Sequence, residues 1–351
     1  MNHSIPHSRP TLGQSEIQSI SEVIASGQIA QGEMVERFEQ AVAKQTGTKG
    51  AVAVSSGTAA LHLTLIAMEL GPGDEVIMPS YVCSALLNTA GYVRATPILA
   101  EIEPKTFNID PEDVKRRLSR KTKAIIVPHL FGLSADLDPI MALDVPIIED
   151  CAQSMGSTYR GKMVGSFGNA TIFSFYSTKV ITTGEGGMVL SDSQDLLERI
   201  RDLREYDKKN RMSVHYNYKM TDIQAVMGLV QLDQLQVFIQ KRRSIAQRYQ
   251  KAFETLTAQL PPDDEGHIYY RYVIGLKDDA GPKIQALAKE GIQCARPVYV
   301  PLHRYLKMEG YKKTEAAWRH SLSIPIYPAL SDGDVKRISE PVADAIMETN
   351  T

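Results

Sequence analysis

The feature that most constrains this chain is an alternation repeated between residues 50 and 190. Short apolar runs recur as AVAV (51–54), EVIM (75–78), ATPILAEI (95–102), KAIIV (123–127), VPII (145–148), ATIFSF (170–175) and GGMVL (186–190), separated by turns or by segments with helical spacing. Most are continuously apolar instead of alternating between apolar and polar side chains, so both faces of each strand must be covered. A mainly parallel sheet with helices on both faces satisfies that demand, and the fold class is α/β.

The remaining segments fit around this sheet. Residues 15–44 carry apolar side chains at helical spacing, broken by the turn SGQIAQGE with Gly27 and Gly32. A helix follows Ser56-Gly57, with Leu61, Leu65 and Met68 on one face, and DPEDVKRRLS (110–119) opens a second with Asp and Pro. From about Gln231 the chain changes character: a long basic helix (234–253), the loop PPDDEGH, a strand YYRYVIGL and the helix PKIQALAKEG. The expected division is a larger unit over 1–230, N-terminal segment included, and a smaller α+β unit over 231–351, joined by the long helix. The charged stretch LLERIRDLREYDKKNR (196–211) reads as a solvated helix face running into a loop.

The 351 residues include 39 basic and 41 acidic side chains and no basic stripe interleaved with aromatics, which argues against a nucleic-acid partner. No run approaches the roughly 18 apolar residues of a membrane helix, and the polar start MNHSIPHSRP lacks the apolar core of a secretory signal. Cys83, Cys151 and Cys294 are odd in number and without CxxC spacing, so neither a metal site nor a disulfide framework is expected, and the compartment is read as the cytoplasm.

In open parallel sheets, ligands gather at the C-terminal ends of strands. Three such ends carry chemistry. Ser56-Gly57-Thr58 opens a helix whose free N–H groups suit an anion such as phosphate, or it is simply a helix cap. Glu149-Asp150 closes a buried strand, where a carboxylate must meet a cation unless Asp150 caps the turn at Ala152-Gln153. Lys179 follows TIFSF and precedes Gly184, Gly186 and Gly187. An anion cradle, a buried acid and a lysine on three strand ends match what pyridoxal 5'-phosphate (PLP) requires: a lysine for its aldehyde, an acid for its ring nitrogen, a helix start for its phosphate.

The blocks SSGTAAL, GDEVIMPS, EDCAQSMGS, SFYSTKVITTGEGGMV, HYNYKMTDIQAVMG and RPVYVPLH, in this order and spacing, resemble the sugar-aminotransferase (DegT) family of fold-type I PLP enzymes over nearly the whole chain. The resemblance implies a homodimer with composite active sites and an amino transfer from an amino acid, glutamate, to a nucleotide-linked 4-keto-6-deoxy sugar. It implies that Lys179 holds the cofactor covalently, that Asp150 pairs with its ring nitrogen and that Gln153 lies beside the ring. Gly57, Thr58 and Ser174 would bind the phosphate, with Asn217 reaching it from the partner subunit, while Arg296 and His303 would contact the acceptor. Two rival readings are a dehydratase of the same family, which typically replaces the lysine by histidine, and a non-catalytic cofactor-sensing protein. The chain departs from the family at Cys83, where an aromatic usually stacks on the ring and Tyr81 is the nearby substitute, at Leu133 in place of Gln, and at Lys219 in place of Arg. Glu185 receives no role from its surroundings in sequence.

Overall fold

The computed structural model describes residues 4–207, 209–210 and 212–347. Eleven strands are found among them: β1 (Gly50–Val54), β2 (Glu75–Pro79), β3 (Thr96–Ala100), β4 (Thr122–Pro128), β5 (Ile147–Asp150), β6 (Thr158–Tyr159), β7 (Lys162–Met163), β8 (Ala170–Ser174), β9 (Gly187–Ser191), β10 (Tyr272–Gly275) and β11 (Ser321–Ile324). Seven of them form the central sheet in the order β1-β9-β8-β5-β4-β2-β3, and only β9 runs against its neighbours. The mainly parallel sheet expected from the apolar runs is therefore present.

Successive residues of one strand enter different cores, which is why the runs lack polar alternation. Val52 and Val54 pack with Leu61, Leu65 and Ile200 on one face. Ala51 and Ala53 pack with Val35, Phe38 and Val42 on the other. The helices Gln14–Ser26 and Glu33–Thr46 end on Gly27 and Gly47, both with positive φ, so the break predicted at Gly27 is a left-handed C-cap.

A separate core gathers around the two-stranded sheet β10-β11. The long helix Leu235–Phe253 joins the two regions: Leu235, Phe238 and Ile239 lie in the large-sheet core, Ile245, Ala246, Tyr249 and Phe253 in the smaller one. The N-terminal segment departs from the boundary drawn on sequence. Ile5 is buried in the smaller core, pairs with Ile292 and donates its N–H to the Gly291 carbonyl at 2.8 Å.

The charged stretch after β9 folds as the helix Gln194–Arg204 and is not wholly solvated. Arg204 is buried, 2.8 Å from Glu39, and donates to the Ala53 carbonyl at 2.7 Å, while Glu39 also accepts from the Ala53 N–H. One buried ion pair thus ties two helices to β1.

Candidate active site

The strand order brings the three predicted ends together. β1, β8 and β5 run in the same direction, and β9, between β1 and β8, starts where they finish: Gly187 pairs with both Val54 and Ser174. Ser55-Ser56-Gly57, Ser174 and Asp150 therefore lie along one edge of four contiguous strands. Gly187 is required by closeness, since a Cβ there would sit 2.2 Å from the Ser56 carbonyl oxygen and 2.6 Å from the Gly57 nitrogen.

At the first end, Ser56 caps the helix Gly57–Ala67 by accepting from Ala59 N–H at 3.0 Å, so the cap predicted as the alternative is real. It does not exhaust the donors. Among the described residues nothing accepts from the N–H groups of Gly57 and Thr58, and no hydrogen bond holds the hydroxyls of Thr58 or Ser174. A Cβ at Gly57 would come within 2.8 Å of Ser174 Cβ and 3.2 Å of its Oγ, so glycine lets Ser174 close against the helix start. Two unpaired N–H groups, two hydroxyls and the helix dipole form an anion cradle.

At the second end, two adjacent acids have opposite fates. Glu149 is fully buried and accepts from Gly165, Phe167 and Gly168 N–H at 2.7–2.8 Å and from His129 Nε2 at 3.0 Å. Burial opposes its charge, but His129 and the backbone donors outweigh that and hold its carboxyl below the usual range. His129 Nδ1 accepts from Ala135 N–H at 3.0 Å, which places the ring proton on Nε2. His129 and Glu149, which with nearby Cys151 are of metal-binding types, are thus already engaged with one another and with backbone. Among the described residues the Asp150 carboxylate has one such contact, Ala152 N–H to Oδ1 at 3.0 Å. Burial pushes its carboxyl up, opposed by that N–H, by the charge of Lys179 and by the neighbouring His129 ring.

At the third end, Lys179 stands in a turn closed by Lys179 N–H to the Tyr176 carbonyl and by Phe175 N–H to Gly186. Its Nζ lies 5.5 Å from the centroid of the Tyr270 ring. Cys83 reports how compact the group is: its thiol is raised first by burial and then by Asp150, and lowered by Lys179. Cys83 itself is exposed to solvent. Two open clefts of the surface, one lined by Val35, Arg201 and Arg204 and one by Phe107, Leu256 and Ala316, contain neither Lys179 nor Asp150. Chemistry, not cavity size, marks the site.

The other predicted residues are placed as follows. Gln153 is half-buried, and its Oε1 accepts from Phe131 N–H at 3.0 Å. Asn217 is exposed, on a segment anchored by Ser55 N–H to the Tyr218 carbonyl, beside the anion cradle. Arg296 donates to the Trp318 and Arg319 carbonyls and to Asp279, and stacks on Trp318. His303 is buried between Ser80 Oγ and Glu315 Oε1, 2.7 Å from each. Tyr81 does not stand in for the aromatic missing at Cys83; it is fully buried, against Phe107 and Phe131. Glu185 is exposed and contributes its carbonyl to Gln224. Sequence reasoning missed Tyr270, because YYRYVIGL reads as an ordinary β-forming run and only the tertiary fold carries it to Lys179.

A lysine, an acid with an uncommitted oxygen and a phosphate-sized cradle on one sheet edge define a PLP-dependent enzyme of fold type I, and the donor set fits that cofactor. The chain belongs to the DegT/DnrJ/EryC1/StrS aminotransferase family, whose model matches residues 10–343. It is 37% identical to the spore coat polysaccharide biosynthesis protein SpsC of Bacillus subtilis, over 98% of each chain. It is 36% identical to GDP-perosamine synthase of Caulobacter vibrioides, over 88% of each. A Streptococcus pneumoniae protein assigned as a sugar aminotransferase, solved in its PLP form, superposes with a TM-score of 0.94 at 28% identity, covering 99% of this chain and 100% of that one. The protein is a PLP-dependent sugar aminotransferase. Among the described residues no helix is long and apolar enough to cross a membrane.

Proposed function

We propose that the enzyme moves the amino group of glutamate to the keto carbon of a nucleotide-linked 4-keto-6-deoxy sugar, and that it works as a homodimer with shared sites. The observation that carries the reading is the convergence of Lys179, Asp150 and the Gly57–Thr58–Ser174 cradle on one edge of the sheet. PLP, when bound, supplies an electron sink for carbanion chemistry at the amino-bearing carbon. The residues of this chain do the rest. Gly57, Thr58 and Ser174 take the phosphate, Asp150 keeps a proton on the ring nitrogen beside it, and Gln153 flanks the ring. Lys179 Nζ, as a free amine, would take the proton from the donor α carbon and pass it to the cofactor carbon that had carried the aldehyde, and the same transfer in reverse would serve the acceptor carbon. The presence of a lysine at this position speaks against the dehydratase reading, and a relative named for GDP-perosamine supports a nucleotide-linked acceptor.

Asn217, exposed and without a side-chain partner among the described residues, is free to take the role the family resemblance gives it, reaching the phosphate bound by the partner subunit. Arg296 and His303 act on the acceptor side by holding the RPVYVPLH segment, whose Tyr299 is 87% exposed and available for contact.

The test is spectroscopic. Glutamate alone should change the visible absorbance of the bound cofactor, and a nucleotide-linked keto sugar should restore it. Restoration by simple keto acids and by no keto sugar would overturn the acceptor. For the shared site, Lys179→Ala and Asn217→Asp dimers are mixed and allowed to exchange. About half of the dimers become mixed and about a quarter of all sites intact, so activity returns if the site is shared. No return despite proven exchange would refute the sharing.

A further inference from the structure

Among the described residues the Lys179 ammonium faces one aromatic ring, that of Tyr270, and a guanidinium and a hydroxyl meet the same side chain. Tyr270 is 5% exposed, with the Lys179 ammonium 5.5 Å from its centroid and the Arg271 guanidinium 5.0 Å from it. Its hydroxyl lies 3.4 Å from that of Thr178, the residue before Lys179. Arg242, fully enclosed, donates to the Tyr270 carbonyl at 3.2 Å. Arg271 has no carboxylate partner among the described residues. Its NH1 lies 2.6 Å from His7 Nδ1, and because a guanidinium can only donate, His7 must accept there and carry its proton on Nε2, toward Ser323 Oγ at 2.9 Å. Burial and Arg271 push His7 down to about 3, so this support stays neutral through the working range.

We propose that Tyr270 is a positioning residue for Lys179: its ring face holds the free ammonium in place, and the His7–Arg271 contact fixes the ring. The proposal deepens the reading of Lys179 as proton carrier and rests on it. A ring face attracts an ammonium, so the Tyr270 ring restrains where the Lys179 head group lies. Burial raises the Tyr270 phenol, but Lys179, Arg271, the Thr178 hydroxyl and Arg242 together outweigh it and bring the phenol down to about 8.

The test uses the cofactor-free full chain, so that it fails separately from the transamination reading. Acylation of Lys179 at neutral pH is followed by mass spectrometry, with thermal unfolding as a control for folding. Tyr270→Leu removes the ring and should raise the labelling rate at least about threefold, whereas Tyr270→Phe keeps the face and should stay within about twofold. Wild-type protein should also show one phenol ionising near the value of about 8, and Tyr270→Phe should lack it. Equal labelling in wild type and a folded Tyr270→Leu would overturn the proposal. Should Tyr270→Leu not fold, the phenol titration decides: no ionisation below the ordinary tyrosine range, or an unchanged curve in Tyr270→Phe, would overturn it equally.

Discussion

Replacing Asp150 by Asn separates the two roles this side chain could have. The turn contact is Ala152 N–H to Oδ1, which an amide oxygen can also accept, so the local fold should persist. Losing a charged acceptor there costs roughly 1 kcal/mol, and relief from burying an ionised carboxylate offsets it, so stability should stay within about 1 kcal/mol of wild type. The chemistry should respond differently, since a neutral amide cannot hold a proton on the ring nitrogen. We expect the glutamate-driven absorbance change to slow at least about a hundredfold, equivalent to about 2.7 kcal/mol of barrier. Stability adds a sign that can be checked. The folded carboxyl is raised above its ordinary 3.8, so the cost of its charge is present above the folded value and is relieved as pH falls through it. Any advantage of the cofactor-free Asn variant should therefore be largest near neutrality and shrink in acid. Stopped-flow absorbance and urea unfolding at several pH values supply both readings. A slowing below threefold with unchanged stability would reduce Asp150 to a turn cap and refute the reasoning.

Two other outcomes follow from packing. Gly187→Ala places a Cβ 2.2 Å from the Ser56 carbonyl, so β1 and the cradle must shift; cofactor affinity, measured by titration of the cofactor-free protein, should fall at least about tenfold while overpacking costs about 1–3 kcal/mol. Arg204→Ala leaves Glu39 buried without its cation and should cost about 3–5 kcal/mol in urea unfolding, and a surface-like loss below about 1 kcal/mol would contradict the buried pair.

The sheet was legible because its signal is local: a strand buried on both faces has to be apolar throughout, as at Val52–Val54 and Ile125–Val127. The residues proposed to hold the cofactor were legible for a different reason, since strand ends in a parallel sheet share an edge, and Lys179, Asp150 and Gly57 each stand at or just beyond the end of a recognisable strand. Pairings across long sequence distances were not. Nothing near Arg204 announces that Glu39, 165 positions away, will bury its charge, and nothing near Ile5 announces Ile292. Tyr270 was hidden for the same reason, its alternating aromatic neighbourhood being equally consistent with a plain core strand.

The pair Glu149-Asp150 shows how one strand can supply both a structural and a chemical acid. Side chains of successive strand residues point to opposite faces, so the two carboxylates meet different surroundings although they are adjacent in sequence. Glu149 meets three backbone N–H groups and a histidine whose tautomer is fixed by Ala135, and its charge is balanced within the fold. Asp150 meets one N–H, and the partial charge of that donor does not balance a buried carboxylate. Lys179 opposes the deficit with its charge from across the sheet edge. A ring nitrogen held beside Asp150, as the proposed cofactor role requires, would meet a carboxyl that the fold itself leaves largely unbalanced.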